Sequence, residues 1–525
     1  MSASTERPPP HAGPLHAPGG LLARNSVLNL AGFGVALAVG ILSMPAIARG
    51  LGSERFGLLG LVWGALAFLN LMDLGLARAT TKFAADVIAR KDTESLRDIA
   101  GVAALVQTAA SVLGGIALAL AAPLIVEQLR ISPALRVEAT WSFVALAAAA
   151  PAVILTNTFI GLLEAAQRFD VVNLVRAPTS TANFLVPLAG ALLGWSVVGI
   201  VAGILVVRVI ALAVYAAACL RFWPVLGSPL RVERARAKQL LGFGGWIAVS
   251  SFVSPLLTYI DRFVIGALVT VAAVGFYAAP QEMVTRLYIV PSSIVGTLFP
   301  AFAALTATAG VAMGAAGIER MMVGGAKYLL ALLAPVLIAL ALLSADVLEL
   351  WLGGDFAEQS ATALALLSIG MLVNSLAFLP SALIQAAGRP DLTAKFHLLE
   401  LPIHLVVLWL MVREWGISGA AAAWSIRVGL DAALLYGASI RMGAVRPASF
   451  LGLRLPTLVA SLVVLALAGA IVVTAADTSA WRIGGVAAVT AIWALWAVKA
   501  LLDETERAQL RLALSRRRND SAIAE

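Results

Sequence analysis

This 525-residue chain has one cysteine, four histidines and six tyrosines, and only 13% of its residues carry charge. A single thiol, Cys219, excludes an internal disulfide and a cysteine metal cluster. It falls in an apolar run and reads as a small buried hydrophobe. Charge this sparse cannot coat a soluble body of such length, since 61% of the residues are hydrophobic and the mean hydropathy is +0.94. Long polar stretches are missing too. No connector exceeds about 20 residues, and none carries paired carboxylates or a histidine cluster, which argues against an enzyme.

Long apolar runs are abundant. They fall near residues 24–47, 57–77, 99–125, 140–162, 172–194, 197–220, 241–265, 273–301, 324–345, 360–384, 394–412, 418–440, 452–475 and 481–502. A bilayer core about 30 Å thick needs roughly 20 apolar residues per helix, and these runs are too long for barrel strands. The expected fold is all-α: a polytopic membrane protein with about 14 transmembrane helices. The opening MSASTERPPPHAGPLHAPGG is rich in proline and glycine and has no apolar centre. It reads as a disordered tail, not a cleavable signal peptide.

The net charge of +8 does not point to nucleic acid. With an even number of crossings both termini share one side, and the basic residues say which. One side receives only Arg49, Arg55, Arg130, Arg136, Arg413 and Arg482. Arg208, Arg262, Arg286 and Arg427 lie within helices, and the remaining Lys and Arg fall on the side of the termini. Such a bias puts both termini in the cytoplasm, with anionic membrane lipid as a partner.

The chain also repeats itself. LEAAQRFD at 163–170 matches IQAAGRPD at 384–391, with Arg168 and Arg389 221 residues apart. Gly57 precedes helix 2 as Gly275 precedes helix 8, 218 residues later. Gly199 and Gly419, 220 apart, open helices 6 and 12, and each is followed by one intramembrane arginine, Arg208 or Arg427. Asp170 and Asp391 read as caps of the next helix, and Gly388 with Pro390 should make the second turn the tighter one. The chain thus divides into a cytoplasmic tail (1–23), an N-lobe of six helices (24–220), a linker (221–240), a C-lobe of six (241–440), a helix pair (441–502) and a basic tail (503–525). Six being even, the two pseudo-symmetric lobes keep one orientation, about an axis along the membrane normal, a plan used by secondary transporters.

Three segments resemble a known family. LSMPAIARGLGSERFGLLGLVWGALAFLNLMDLGLARATTKFAA (42–85), YIDRFVIGALVTVAAVGFYAAPQEMV (259–284) and LWLGGDFAEQSATALALLSIG (350–370) are similar to polysaccharide and O-antigen flippases. These belong to the multidrug/oligosaccharidyl-lipid/polysaccharide (MOP) exporter superfamily. The resemblance spans about residues 25–440 and implies a flippase in the plasma membrane, the inner one in bacteria. Its implied cargo is an oligosaccharide on undecaprenyl pyrophosphate, moved by alternating access for surface polysaccharide, with polymerase or assembly proteins as candidate partners. It implies no cofactor. The last two helices are similar to the extra pair of the lipid II branch, so a lipid II flippase stays open, as does a drug/cation antiporter.

Charge inside a membrane is costly, about 2.5–3.5 kcal/mol per group on insertion scales, and usually faces a cavity or a partner. Arg262, Arg286 and Arg208 are the candidate contacts for a pyrophosphate, because guanidinium stays charged and can grip two phosphate oxygens. Asp261, Glu282, Ser254, Thr258, Asn29, Asn70 and Asp73 are candidates for lining the cavity or coupling an ion. The structural alternative pairs Glu282 with Arg286, four residues on, and Asp261 and Arg262 with other helices. Arg427 and Asp431 read as an internal i,i+4 pair, whereas Arg208 has no evident local partner. Trp63, Tyr259, Tyr277 and Tyr288 could stack on sugars or anchor at the interface. His397, Glu400 and His404 have the wrong spacing for a metal site, and Pro402 interrupts them.

Overall fold

The computed structural model describes residues 19–69, 73, 76–228, 253, 255–313, 315–452 and 454–500, with side chains from residue 34 onward at all but a few positions. Most of the expected N-terminal tail, most of the linker and the basic tail lie outside the described residues. So do Asn70, Ser254 and the side chain of Asn29.

Among the described residues there is no strand. The helices are α1 (Gly19–Leu69), α2 (Leu76–Ala89), α3 (Thr93–Gln128), α4 (Arg136–Ala165), α5 (Phe169–Leu193), α6 (Val197–Phe222), α7 (255–268), α8 (Val271–Thr285), α9 (Ile289–Met313), α10 (Ala315–Leu342), α11 (Ser344–Leu352), α12 (Gly354–Ala386), α13 (Pro390–Arg441), α14 (Leu455–Ala475) and α15 (Ser479–Ala500). Expected helices 1 and 2 run together as α1, broken only at Gly52 (φ 73°, ψ 166°). Expected helices 11 and 12 are the two parts of α13, broken at Gly416 (φ 56°, ψ −133°). Both breaks use backbone conformations that a Cβ disfavours, so glycine lets the chain turn without leaving the membrane-spanning stack.

Two stretches read as connectors are helical. The charged segment after helix 2 holds α2, which buries Leu76, Ala79, Ala84 and Val87 on one face. The segment before helix 10 holds α11. Expected helix 8 is divided: α8 ends in a 3-10 turn at Arg286–Tyr288 before α9 begins. Pro291 has no N–H to return to the Leu287 carbonyl, which tightens the chain where Arg286 stands.

The two copies of the repeated stretch, 163–170 and 384–391, build one turn. Arg168 N–H bonds the Leu163 carbonyl at 2.8 Å, and Arg389 N–H bonds Ile384 at 3.0 Å. Gln167 (φ 59°) and Gly388 (φ 76°) occupy the left-handed position. Since the same hydrogen bonds close both, the second turn is not tighter than the first. Nor do the aspartates cap: Arg168 and Arg389 stand at the N-cap position without a side-chain cap bond. Asp170 and Asp391 instead take those arginines as two-pronged ion pairs, with both bonds at 2.9 Å in the first and at 3.0 and 3.3 Å in the second. These pairs hold both guanidiniums above their ordinary pKa.

The lobes meet along α1 and α8, at positions related by the repeat. A Cβ on Gly57 would fall 1.8 Å from the Val271 carbonyl oxygen, and one on Gly275 would lie 3.2 Å from the Ser53 oxygen. One on Gly60 would touch Ala278 at 3.1 Å. Contacts advance together along both helices, so they run parallel, as a two-fold along the membrane normal demands. Small residues permit this approach. Nearby, Arg130 N–H bonds Gly266 O (2.8 Å) and Val271 N–H bonds Arg130 O (3.1 Å), joining the α3–α4 and α7–α8 connections. One continuous core, with Phe56, Phe143, Phe302 and Trp424 fully buried, unites the lobes. The pair α14–α15 lies against α10 through Leu458, Leu462 and Trp493.

Candidate functional site

Arg262 on α7 has no exposed surface. Its Nε donates to Gln281 Oε1 at 2.8 Å, Nη1 to the Gly60 carbonyl at 2.9 Å and Nη2 to Glu282 Oε1 at 2.9 Å. The Tyr259 ring centroid lies 5.0 Å from the guanidinium carbon. A buried guanidinium is tolerated only when its fork is filled in this way. One of its acceptors is the main chain of α1, so this arginine fastens the C-lobe to the N-lobe.

Glu282 is shared. Its second oxygen accepts from Arg286 Nη2 at 2.8 Å, one turn along the chain, as the i,i+4 spacing led one to expect. Arg286 is different from Arg262: its side chain is 37% exposed. It lies over the Phe184 ring of α5, 4.9 Å from the centroid. Two guanidiniums around one carboxylate leave the group with a net positive charge. Arg286 faces a small cleft lined by Gly40, Ile41, Met44, Phe184, Glu282, Met283 and Trp351. The walls come from α1, α5, α8 and α11, hence from both lobes. A cation with free donors in an apolar cleft between lobes is suited to an anionic group carried on an amphipathic molecule.

A second polar group is buried within the C-lobe. Asp261, fully buried beside Arg262, does not pair with it. It accepts from Tyr277 OH at 2.7 Å and contacts His404 Nε2 at 3.1 Å. Arg427 reaches Glu400 at 3.5 Å, across the break in α13, instead of pairing with Asp431 as the spacing suggested. The helix break at Gly416 folds the two halves of α13 back on each other and makes the nearer partner a residue 27 positions away. His404 and Glu400 therefore face different partners.

The remaining expected residues are scattered. Arg208 has a partner after all, Asn183 of α5 at 3.3 Å, and does not line the cleft. Thr258 offers its carbonyl to Gln281 Nε2 at 2.9 Å. Asp73 bonds the Ala77 N–H at 3.2 Å, opening α2, and binds Gln107, which meets Thr158 in turn. None of the four aromatics lines the cleft: Trp63 packs on Phe56 and Phe184, Tyr259 and Tyr277 hold Arg262 and Asp261, and Tyr288 accepts from Asn374. Sequence reasoning missed Gln281, Phe184 and Trp351. Gln281 stands beside Glu282 and was within reach of the same spacing argument, whereas Phe184 and Trp351 carry no local signal.

Residues 22–306 match the family described as polysaccharide biosynthesis protein. The chain is 30% identical over 422 residues to the protein named "Putative O-antigen transporter" of Shigella flexneri, across 80% of this chain and 98% of that one. Among solved structures it is similar to the lipid II flippase MurJ in an inward closed conformation, with a TM-score of 0.67, 12% identity, and coverage of 90% of this chain and 97% of that one. It is also similar to an inward-facing multidrug resistance MATE family transporter of the MOP superfamily, with a TM-score of 0.64, 17% identity, and coverage of 78% and 95%. At these identities the structural likeness is one of fold, two helical lobes.

Proposed function

The chain belongs to the polysaccharide biosynthesis protein family, and on that premise we propose that it is a flippase. Its cargo would be a polyprenyl-pyrophosphate-linked oligosaccharide, carried from the cytoplasmic to the outer leaflet for surface polysaccharide. The relative named as an O-antigen transporter supports this cargo class. The observation that carries the reading is Arg286: a half-exposed guanidinium in a cleft between lobes, with spare donors and net positive surroundings. Such a group favours a phosphate over the cationic cargo of a drug antiporter. Lobe rocking would then pass the headgroup while the polyprenyl tail stays in lipid.

Within this reading the arginines divide. Arg286 contacts phosphate, Arg262 positions Glu282 and Arg286, and Arg208 serves the N-lobe. Glu282 is taken up by two cations, so ion coupling falls to Asp261. Both termini are cytoplasmic, as the basic residues argue. The lobes 24–220 and 241–440 are the moving bodies and 441–502 an appended pair.

The test is flipping of a fluorescent lipid-linked oligosaccharide in proteoliposomes. Arg286→Ala should raise KM and lower flipping about tenfold or more, with Arg286→Lys retaining part, in line with loss of a charged hydrogen bond. In the same vesicles Asp261→Asn should leave flipping indifferent to an imposed ion gradient. Normal flipping by a well-folded Arg286→Ala protein would end the phosphate assignment. A second reading, lipid II as cargo, draws on the fold shared with the solved lipid II flippase, whose match covers 90% of this chain. Competition between lipid II and the oligosaccharide in the same assay separates the two.

A further inference from the structure

A proline inside a helix removes the N–H that the carbonyl four residues earlier would accept. In a membrane that carbonyl must find another donor, since no water is at hand. Three such carbonyls here are met from another helix. Pro280 releases Phe276 O, which accepts from Ser360 Oγ at 2.7 Å. Pro380 releases Leu376 O, which accepts from Tyr436 OH at 3.1 Å. Pro45 releases Ile41 O, which accepts from the indole Nε1 of Trp351 at 2.7 Å.

The first two bonds stay inside the C-lobe, α12 to α8 and α13 to α12. The third joins lobes, from α11 to α1, and both of its residues line the cleft beside Arg286. The geometry points to Trp351 as an inter-lobe latch, whose indole N–H holds the lobes together by satisfying the carbonyl that Pro45 frees. An ordinary helical carbonyl would keep its own donor when the lobes part. Ile41 has no helical donor to fall back on, so separation gives up a hydrogen bond that only water entering the opened cleft could replace. The latch thereby biases the protein toward the state with this end closed. It rests on the rocking of the two lobes assumed above and is indifferent to the cargo.

The experiment uses the full-length protein in lipid nanodiscs without substrate. Nitroxides are placed on cysteines introduced at the exposed Ala134 and Glu358, one in each lobe, while the buried Cys219 escapes labelling. Trp351→Phe keeps a ring and loses the N–H. It should lower the ratio of closed to open distances about fivefold, the worth of one hydrogen bond. In a Pro45→Ala background, where the restored main-chain N–H supplies the missing helical donor, the same change should matter less than about twofold on that scale. Tyr436→Phe removes a bond of the same kind within one lobe and should leave the distances unchanged. An unmoved distribution in Trp351→Phe, or equal shifts in both backgrounds, overturns the latch. Should Pro45→Ala not fold, the contrast between Trp351→Phe and Tyr436→Phe still decides. A protein that shows the shift but flips no lipid-linked sugar would sink the flippase reading and leave the latch standing.

Discussion

A guanidinium with no exposed surface and three hydrogen bonds can turn toward a ligand only by abandoning acceptors buried with it. Arg262 is in that position, while Arg286 spends one donor on Glu282 and keeps the rest for the cleft. Their variants should therefore fail in different ways. Arg262→Leu takes the buried donor from Gln281 Oε1 and Glu282 Oε1 and cuts the tie to the Gly60 carbonyl, and stability should fall by about 3 kcal/mol, as for other broken buried pairs. Arg262→Lys should recover little, because one ammonium cannot replace a planar fork. Thermal unfolding in detergent measures both, and a Lys variant as stable as the parent would refute the role. Half of this arrangement was legible in the sequence. Glu282 and Arg286 stand four residues apart at the end of α8, a spacing that brings them together on one side, but Gly60 is 202 residues from Arg262 and offers a main-chain atom that no side-chain pattern announces.

Elements show the repeat more sharply than the letters do. Gln167 and Gly388 stand at the same left-handed corner, yet only one of them is free of a Cβ. Strain of about 1 kcal/mol attends a non-glycine residue there. Gln167→Gly should thus raise the melting temperature and Gly388→Gln lower it, by similar amounts in calorimetry. Opposite signs are required, and equal signs would mean that the corners are not equivalent. The helix breaks at Gly52 and Gly416 were visible as short gaps between apolar runs. The 3-10 turn at Arg286–Tyr288 was not, since Pro291 within an apolar run gives no warning of where the chain will tighten.

At the scale of the molecule, the parallel crossing of α1 and α8 brings the two lobes into backbone contact, and under the proposed mechanism rocking would turn there. A methyl group on Gly57 would overlap the Val271 carbonyl, so Gly57→Ala cannot keep this contact. The variant should favour the state with these helices apart and lower flipping about tenfold, a typical coupling magnitude. Gly275→Ala, whose nearest contact is 3.0 Å, should do the same more weakly. Cross-linking of cysteines at Ala134 and Glu358 reports the separation, and unchanged cross-linking in Gly57→Ala would count against this role of the α1–α8 contact.

The sequence alone determined the class, the apolar runs and the two-lobe plan. Those follow from how many consecutive apolar residues a bilayer requires and from a period that survives in turns and glycines. It also marked the intramembrane charges, because each is expensive wherever it lies. Which charges meet was decided only by tertiary structure. Pairing in an apolar medium depends on which helix faces lie within about 3 Å of one another. That is how Asp261 came to His404, Arg427 to Glu400, and the carbonyl freed by Pro45 to a tryptophan 310 residues away.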